Sequence, residues 1–308
     1  TALRVVPRGE KVPRGRGGVV RSMLSREDGR VRMVASDLDG TIVRPDGTIS
    51  TRTLLALDAC EQAGVDVVFV TGRPPRWMAP IAEVTGHRGV AICGNGAAVV
   101  DLATDRIIDT NPLTHDAVRR IVLALRAELP GAAFSLETTS GYRQEAGFLP
   151  HTAVTWRGLV SRPETPSGTV DELLADDPVV LKVLCRLTGA RADEMLAAAR
   201  RVIHDLAEPV HSDSTDCLLE MSARGVSKAS ALTRLAAERG IDPVDVVAFG
   251  DMPNDVPLLR WAGRGYAMAD GHPEAVAAAD ELAPGCLEDG VAQVLERLLA
   301  GEAELRVP

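Results

Sequence analysis

Two aspartates directly follow an apolar segment in the first fifth of the chain. Residues 31–36 predict a buried strand, and Asp37 and Asp39 come next in the pentapeptide Asp-Leu-Asp-Gly-Thr. In an open α/β sheet, ligands bind beyond the carboxyl ends of the strands. Two carboxylates placed there repel each other unless a cation or a proton separates them. The segment therefore predicts an α/β sheet strand that leads into a ligand site, and metal-assisted phosphoryl transfer is a chemistry that uses such a pair.

The Asp-x-Asp-Gly sequence also occurs in ordinary turns and in calcium-binding loops. No further acids follow at alternating positions, and no Glu closes a loop of the calcium-binding length. The calcium loop is therefore excluded. For the pentapeptide taken alone, an ordinary turn remains the alternative.

Length and composition indicate a two-domain protein of ordinary globular type. The chain has 308 residues, of which 45% are hydrophobic and 25% charged. Only 3% are aromatic, which disfavours base stacking on single-stranded nucleic acid. The formal net charge is -9. We expect no nucleic-acid partner, and an anionic substrate would need a local cationic site and a metal ion.

The charge is unevenly distributed along the chain. Residues 1–32 contain nine Lys or Arg and three acids, a net of +6, whereas the remainder carries 25 basic and 40 acidic residues, a net of -15. The basic stretch is rich in Gly, Pro and Arg, and we expect a poorly structured extension. A phosphate-binding tail is the alternative. Met23 and Met33 are candidate start residues.

The five cysteines are scattered and form no CxxC pair. They are Cys60, Cys93, Cys185, Cys217 and Cys286. Such a set is typical of buried thiols in a reducing cytosol, so we expect a cytoplasmic protein. No apolar stretch has the length of a bilayer span, and no signal peptide is evident, so we expect no membrane partner.

The first hundred residues alternate strand and helix patterns. Residues 41–44 and 48–49, on either side of Pro-Asp-Gly, predict a short hairpin beyond the two aspartates. A helix capped by Ser50 or Thr51 follows, then a buried strand at 65–70 that ends at Thr71. Another helix follows Pro75, and a third strand at 90–93 leads into Gly-Asn-Gly-Ala. This rhythm is typical of a doubly wound parallel sheet.

The pattern changes after residue 97. Helices at about 115–129 and 191–206, strands at 179–187 and around 210–221, and a polar stretch at 161–169 predict an inserted α+β domain over 98–215. The parallel-sheet core then occupies 33–97 and 216–308. Its second part begins with a helix that opens at 226–228, with Ser227 as cap, and continues with a strand at 246–249.

Polar groups follow three of the predicted core strands. Asp37 and Asp39 follow the first strand, and Thr71 follows the second. The sequence Gly-Asp-Met-Pro-Asn-Asp at 250–255 follows the strand at 246–249. Lys228 begins a helix that lies in sequence between Thr71 and this third strand. Each piece alone has an ordinary explanation as a turn or a solvated residue. Because parallel strand ends meet at one edge of the sheet, the four pieces together predict one site.

With these motifs the sequence resembles the haloacid-dehalogenase-like hydrolases, and among them the Cof-type phosphatases with a type IIB cap. The matching segments span most of 33–300 and are 37–41, 68–73, 94–97, 225–228, 250–255, 267–268 and 288–292. The resemblance implies a Rossmann-like parallel-sheet core with an inserted α+β cap domain. One departure is Met268-Ala269-Asp270, where relatives have Asn after Met-Gly; we expect this position to be peripheral, and an added acid near the site would alter metal or substrate preference.

The resemblance also implies a role for each motif residue. Asp37 would attack phosphorus and Asp39 would act as acid and base. Thr71, Gly72, Lys228 and Asn254 would bind the phosphoryl group, Asn254 by orienting Lys228 or the phosphate. Mg²⁺ would be held by Asp37, the backbone carbonyl of Asp39, Asp251 and Asp255.

The implied activity is a Mg²⁺-dependent phosphatase acting on small phosphorylated metabolites such as sugar phosphates. A cap that closes over the site admits small substrates. The candidate cap residues, each with surface or packing roles as the alternative, are His151, Trp156, Arg157, Lys182, His211 and Asp213. A phosphomutase on the same scaffold and a non-catalytic metabolite-binding module are the alternative functions.

Overall fold

The computed structural model describes residues 31–148, 165–211 and 217–301. The strands are β1 (Met33–Ser36), β2 (Asp66–Val70), β3 (Val90–Cys93), β4 (Ala98–Asp101), β5 (Arg106–Thr110), β6 (Ala133–Thr138), β7 (Gly141–Gln144), β8 (Val180–Arg186), β9 (Ala207–Val210), β10 (Leu218–Ala223), β11 (Val246–Gly250), β12 (Arg264–Met268) and β13 (Glu281–Ala283). The helices are α1 (Thr51–Gln62), α2 (Met78–Thr85), α3 (His115–Glu128), α4 (Val170–Leu173), α5 (Ala192–Val202), α6 (Lys228–Glu238), α7 (Val256–Trp261), α8 (Pro273–Ala278) and α9 (Gly290–Leu299).

The larger of two sheets has eight strands in the order β13-β12-β11-β1-β2-β3-β4-β5. The six strands from β13 to β3 are parallel, whereas β4 and β5 pair antiparallel at the edge. The predicted α/β class with a parallel-sheet core is confirmed. The neighbouring strands β11, β1 and β2 are the three that precede the predicted site residues.

Helices cover both faces of the larger sheet, because its central strands are apolar on both sides. Val34 and Phe69 pack toward the layer formed by α1 and α9. Met33 and Val68 pack toward the opposite layer, formed by α6, α7 and α8. Burial of each such side chain contributes about 2 kcal/mol to the stability of the sheet. The continuous apolar strands therefore become the centre of a three-layer core.

The predicted helix starts are capped by side chains. Ser50 accepts a hydrogen bond from the Thr53 amide at the start of α1, and Ser227 accepts one from the Ser230 amide at the start of α6. The α6 cap fixes where the helix begins and so places Lys228 at its first position.

The smaller sheet is antiparallel, with the strand order β7-β6-β8-β10-β9. Its apolar face packs on α3, α4 and α5. The alternate residues of β6, β8 and β10 point to the other face, where five polar side chains are buried: Ser135, Glu137, Lys182, Glu220 and Ser222. This set, which we call the polar face, lies against the 71–76 and 94–95 segments of the larger sheet.

The chain does not pass from one sheet to the other at the bounds predicted for the inserted domain. β4 and β5, within 98–110, belong to the larger sheet, because β3 turns back through Gly94-Asn95-Gly96 into an antiparallel ladder. β10, beyond residue 215, belongs to the smaller sheet. The change of sheet therefore falls after residue 110 and again after residue 223. The division into core and cap domains itself stays a prediction.

The predicted hairpin at 41–49 is wrong. The segment forms successive turns, closed by hydrogen bonds from Arg44 N to Thr48 O (2.8 Å) and from Gly47 N to Arg44 O (2.8 Å), with one isolated bridge between Asp39 and Val43. The arms on either side of the Pro-Asp-Gly turn are too short to form a ladder.

Of the expected buried thiols, Cys60, Cys93, Cys185 and Cys286 are buried, whereas Cys217 is half-buried. Burial raises the pKa of Cys60 to about 12. Within the described ranges, no helix has the length and apolar character needed to cross a membrane.

Candidate active site

Two adjacent parallel strands bring the predicted acids together. Asp37 follows β1, and Asp251 and Asp255 follow β11, which pairs with β1. Carboxylate oxygens of these three residues lie within 4.8 Å of one another. We call them the acidic cluster.

Lys228 is the cation that joins two members of the acidic cluster. Its Nζ donates to Asp37 Oδ1 (2.7 Å) and to Asp255 Oδ1 (2.6 Å), and its side chain is 1% exposed. The other oxygen of Asp255 accepts from the amides of Asp251 (3.1 Å) and Met252 (3.0 Å). Asp255 therefore orients both Lys228 and the loop that carries Asp251.

The acidic cluster is electrostatically strained. Burial raises the pKa of Asp37 to about 7; Lys228 opposes this shift, and the neighbouring Asp255 adds to it. Burial, together with Asp37 and Asp255, raises the pKa of Asp251 to about 9. For Lys228, burial lowers the pKa, but Asp255 and Asp37 outweigh burial and the pKa is raised. Ionisation of the acids is therefore unfavourable until a further cation joins the cluster.

The composition of the acidic cluster fits a hard divalent cation. Three carboxylates and one ammonium leave a formal charge of -2, and carboxylate oxygens are the ligands that Mg²⁺ prefers. Thr41 Oγ1 donates to Asp251 Oδ1 (3.1 Å) and fixes that carboxylate. Gly40, at φ +81°, has no side chain because a Cβ atom there would overlap the Asp251 carboxylate.

Asp39 lies apart from the acidic cluster. Its carboxylate accepts two hydrogen bonds from Arg73, from Nε (2.7 Å) and from Nη2 (2.5 Å). The Asp39 side chain is 56% exposed. The Asp39 carboxylate is therefore solvent-accessible, and the ion pair with Arg73 holds it in place.

The loop after β2 is held by its own carbonyl groups. Thr71 O accepts from Asn95 N (3.0 Å) and Arg73 O accepts from Gly94 N (2.9 Å). Gly72 O accepts from Lys182 Nζ (2.6 Å). Thr71 Oγ1 accepts from the Arg73 amide (3.0 Å), which leaves its hydroxyl proton available for a ligand.

Asn254 contacts Asn95 rather than Lys228. Asn254 Nδ2 donates to Asn95 Oδ1 (3.0 Å), and Asn95 Nδ2 donates to Glu220 Oε2 (3.2 Å). Lys228 is oriented instead by its two aspartates. In the described part of the chain, the buried Asn254 Oδ1 has no hydrogen-bond partner. Phosphate binding by Asn254 stays a prediction.

Of the other predicted residues, Lys182 contacts the loop after β2, through Gly72 O, whereas His211 contacts Asp193. His211 is buried, with its Nε2 2.9 Å from Asp193 Oδ1 and its ring 6.2 Å from that of His272. Asp270 lies beside Gly285 rather than in the acidic cluster. Four predicted cap residues lie outside the described residues: His151, Trp156, Arg157 and Asp213.

Sequence reasoning missed the roles of Arg73, Asn95 and Glu220. Arg73 and Asn95 stand inside recognised motifs, but their partners come from other strands. The alternation Leu219-Glu220-Met221-Ser222 was a usable signal, because it predicts a strand with one polar face. That face is buried against the site, which periodicity alone does not show.

The sequence profile of the haloacid dehalogenase-like hydrolases matches residues 34–295. The chain belongs to this family. It is 24% identical over 266 residues to the pyridoxal phosphate phosphatase YbhA of Escherichia coli (strain K12), covering 86% of this chain and 97% of that protein. It is 30% identical over 280 residues to an HMP-PP phosphatase of Yersinia pseudotuberculosis (serotype I, strain IP32953), covering 87% and 96%.

The fold of this hydrolase agrees with that of a solved HAD subclass IIB sugar phosphatase, BT4131. The two share a TM-score of 0.72 at 22% identity, covering 87% of this chain and 98% of that chain. The resemblance to Cof-type phosphatases with a type IIB cap is thereby confirmed, and the relatives are named phosphatases.

Proposed function

We propose that this hydrolase removes phosphate from small phosphorylated metabolites through an aspartyl-phosphate at Asp37. The observation that carries the proposal is the position of Asp37: its Oδ1 bonds to Lys228, and its carboxylate lies beside Asp251 and Asp255. A nucleophilic carboxylate needs a neighbouring cation because its target is itself anionic, and Lys228 supplies one.

The chemistry has two steps. Asp37 attacks phosphorus, the bond to the leaving oxygen breaks, and Asp39 gives that oxygen a proton. Water then attacks the aspartyl-phosphate, Asp39 accepts the water proton, and Asp37 is restored as inorganic phosphate leaves. Asp39 must exchange its ion pair with Arg73 for contact with the substrate.

The phosphoryl oxygens would be bound by the Thr71 hydroxyl, the Gly72 amide, Lys228 and Asn254. Lys228 neutralises charge as nucleophile and phosphoryl group approach each other. Mg²⁺ would be held by the carboxylates of Asp37, Asp251 and Asp255 and the Asp39 backbone carbonyl, and when bound it would neutralise phosphoryl charge.

The names of the relatives support the proposed substrate class. The YbhA relative is named for pyridoxal phosphate and the Yersinia relative for HMP-PP. BT4131 is a sugar phosphatase of the same fold. We infer that the substrate is a phosphate monoester or diphosphate of metabolite size. We propose that the protein acts on it in the cytoplasm.

Phosphate release from a panel of metabolites tests the proposal. The panel contains pyridoxal phosphate, HMP-PP and hexose phosphates, each with Mg²⁺ or EDTA. We expect Mg²⁺-dependent release by the wild-type protein and loss of at least about 10³-fold in Asp37→Asn. Asp58→Asn, an exposed acid of α1, is the matched control.

Absence of release from every panel member by the wild-type protein, or full activity in Asp37→Asn, would contradict the proposal. The same reactions are analysed for isomerised sugar phosphates. A phosphomutase would give isomers with little free phosphate.

A further inference from the structure

We propose that Lys182, on the smaller sheet, is a positioning residue that aims the phosphate-binding loop at 71–73. The inference rests on the proposed function, because it assigns Lys182 a role in that same site. Lys182 does not touch the reacting atoms; it acts through the peptide group that follows Gly72.

The placement of Lys182 is unusual for a cation. Its side chain is buried, 4% exposed, on the polar face of an antiparallel sheet. Its Nζ donates to Glu220 Oε2 (2.5 Å) and to Gly72 O (2.6 Å). A buried ammonium is costly unless it is paired and hydrogen-bonded, and here one of its two partners is a loop carbonyl of the larger sheet.

The bond to Gly72 completes a set of three. Thr71 O and Arg73 O accept from the backbone amides of Asn95 and Gly94, and Gly72 O alone depends on a side chain. The 94–95 turn is itself tied to the smaller sheet, since Asn95 Nδ2 donates to Glu220 Oε2. The same carboxylate oxygen thus accepts from the side chains of Asn95 and Lys182, two of the three residues that donate to the loop carbonyls.

Fixing the Gly72 carbonyl fixes the donor on the other side of the same peptide plane. A trans peptide directs its C=O and N–H in opposite directions. The N–H opposite Gly72 O belongs to Arg73 and donates to Thr71 Oγ1 (3.0 Å). Lys182 therefore acts on the Thr71 hydroxyl through one rigid peptide group, and orients it to donate to a phosphoryl oxygen.

A purely structural ion pair between Lys182 and Glu220 would predict a different response. Removing both charges together would then leave a folded and fully active protein, because an apolar replacement of a buried pair is tolerated. Under the positioning role, the folded double variant remains defective, since Gly72 O has lost its donor.

The test compares Lys182→Met/Glu220→Gln with the matched double variant Arg76→Met/Glu137→Gln. Arg76 forms a second ion pair with the polar face, through Glu137 (2.8 and 2.9 Å). Phosphate release is measured with the best panel substrate, together with the thermal midpoint and the Mg²⁺ concentration for half-maximal rate. Glu220→Gln alone, which keeps the Lys182 bond to Gly72, is expected to lose less activity than its double variant.

We expect kcat of the Lys182→Met/Glu220→Gln protein to fall at least about tenfold with its Mg²⁺ requirement unchanged, because misaligned donors stabilise the transition state less. The Arg76→Met/Glu137→Gln protein is expected to keep its kcat. A folded Lys182 double variant with wild-type kcat and KM would overturn the inference.

Lys182→Leu/Glu220→Gln replaces the first variant if that one does not fold, and the same outcomes apply. Failure of the proposed function and failure of the positioning role give different results. A wild-type protein without phosphatase activity refutes the proposed function, whereas an active wild type with equally active Lys182 variants refutes only the positioning role.

Discussion

Two buried lysines serve two different regions of this hydrolase. Lys228 begins α6 on the larger sheet and bonds two carboxylates of the acidic cluster. Lys182 lies within the smaller sheet and bonds one carboxylate and one backbone carbonyl. Burial makes each ammonium costly, so in both places the partners determine what the charge does.

Because their partners differ, Lys228 acts on the charge of its region, whereas Lys182 acts on the orientation of a backbone peptide group. Beside Lys228, carboxylates outnumber the cation, and with all three ionised the region would carry a formal charge of -2 that a divalent metal ion would neutralise. Beside Lys182, one carboxylate balances the charge, and the second bond fixes a peptide group. A buried lysine can thus act on charge or on backbone orientation, and its second acceptor decides which.

The largest expected effect is that of Lys228→Met. Phosphate release should fall at least about 10³-fold, and the free energy of unfolding by about 3 to 5 kcal/mol, because Asp37 and Asp255 lose their cation. Steady-state kinetics and urea unfolding measure the two losses. If Lys182→Met/Glu220→Gln were as inactive as Lys228→Met, the distinction between the two lysines would fail.

Gly40→Ala tests the acidic cluster without changing any of its members. A Cβ atom at residue 40 would overlap the Asp251 carboxylate, and φ +81° is unfavourable for alanine. We expect activity to fall about 100-fold and the Mg²⁺ concentration for half-maximal rate to rise. Gly64→Ala, at a positive φ with open space around it, is the control for backbone strain. Equal kinetic losses in both variants would argue against displacement of Asp251.

The raised pKa values predict the pH dependence of the metal-free protein. Asp37 and Asp251 have folded-state pKa values of about 7 and about 9, above the value of about 3.9 expected when unfolded. Between those values the folded state binds more protons, so the free energy of unfolding falls as pH rises from about 4 toward 9.

The slope is at most about 1.4 kcal/mol per pH unit for each group. Urea unfolding in EDTA at pH 5 to 9 measures it, and Asp251→Asn should flatten it at the alkaline end. Stability that rises with pH over this range would show that the carboxylates are not strained as described.

The smallest effect is expected for Arg76→Gln. The change leaves the buried Glu137 without its cation and should cost about 1 to 3 kcal/mol of stability. Because Arg76 contacts neither the acidic cluster nor the 71–73 carbonyls, kcat should stay unchanged. Thermal unfolding and phosphate release measured on the same preparation provide the check. A loss of kcat would extend the positioning role to the whole polar face.

Much of the fold could be predicted from local patterns. Apolar runs gave β1, β2, β3 and β11 their strand character, and Ser50 and Ser227 marked the starts of α1 and α6. The hairpin at 41–49 failed because turn residues specify a reversal of the chain but not a ladder. The bounds of the inserted domain differ from the change of sheet because strands join sheets by long-range pairing.

Local patterns in the sequence are enough to identify the residues at the carboxyl ends of β1, β2 and β11, because strand periodicity and parallel order place those ends at one edge. Which of these residues meet depends on the tertiary structure: it gathers Asp37, Asp251 and Asp255 around Lys228 and leaves Asp39 with Arg73. It also carries Lys182 to Gly72 across 110 positions of sequence. Such pairings depend on sheet register and on how two sheets pack, and no local sequence pattern specifies either of these.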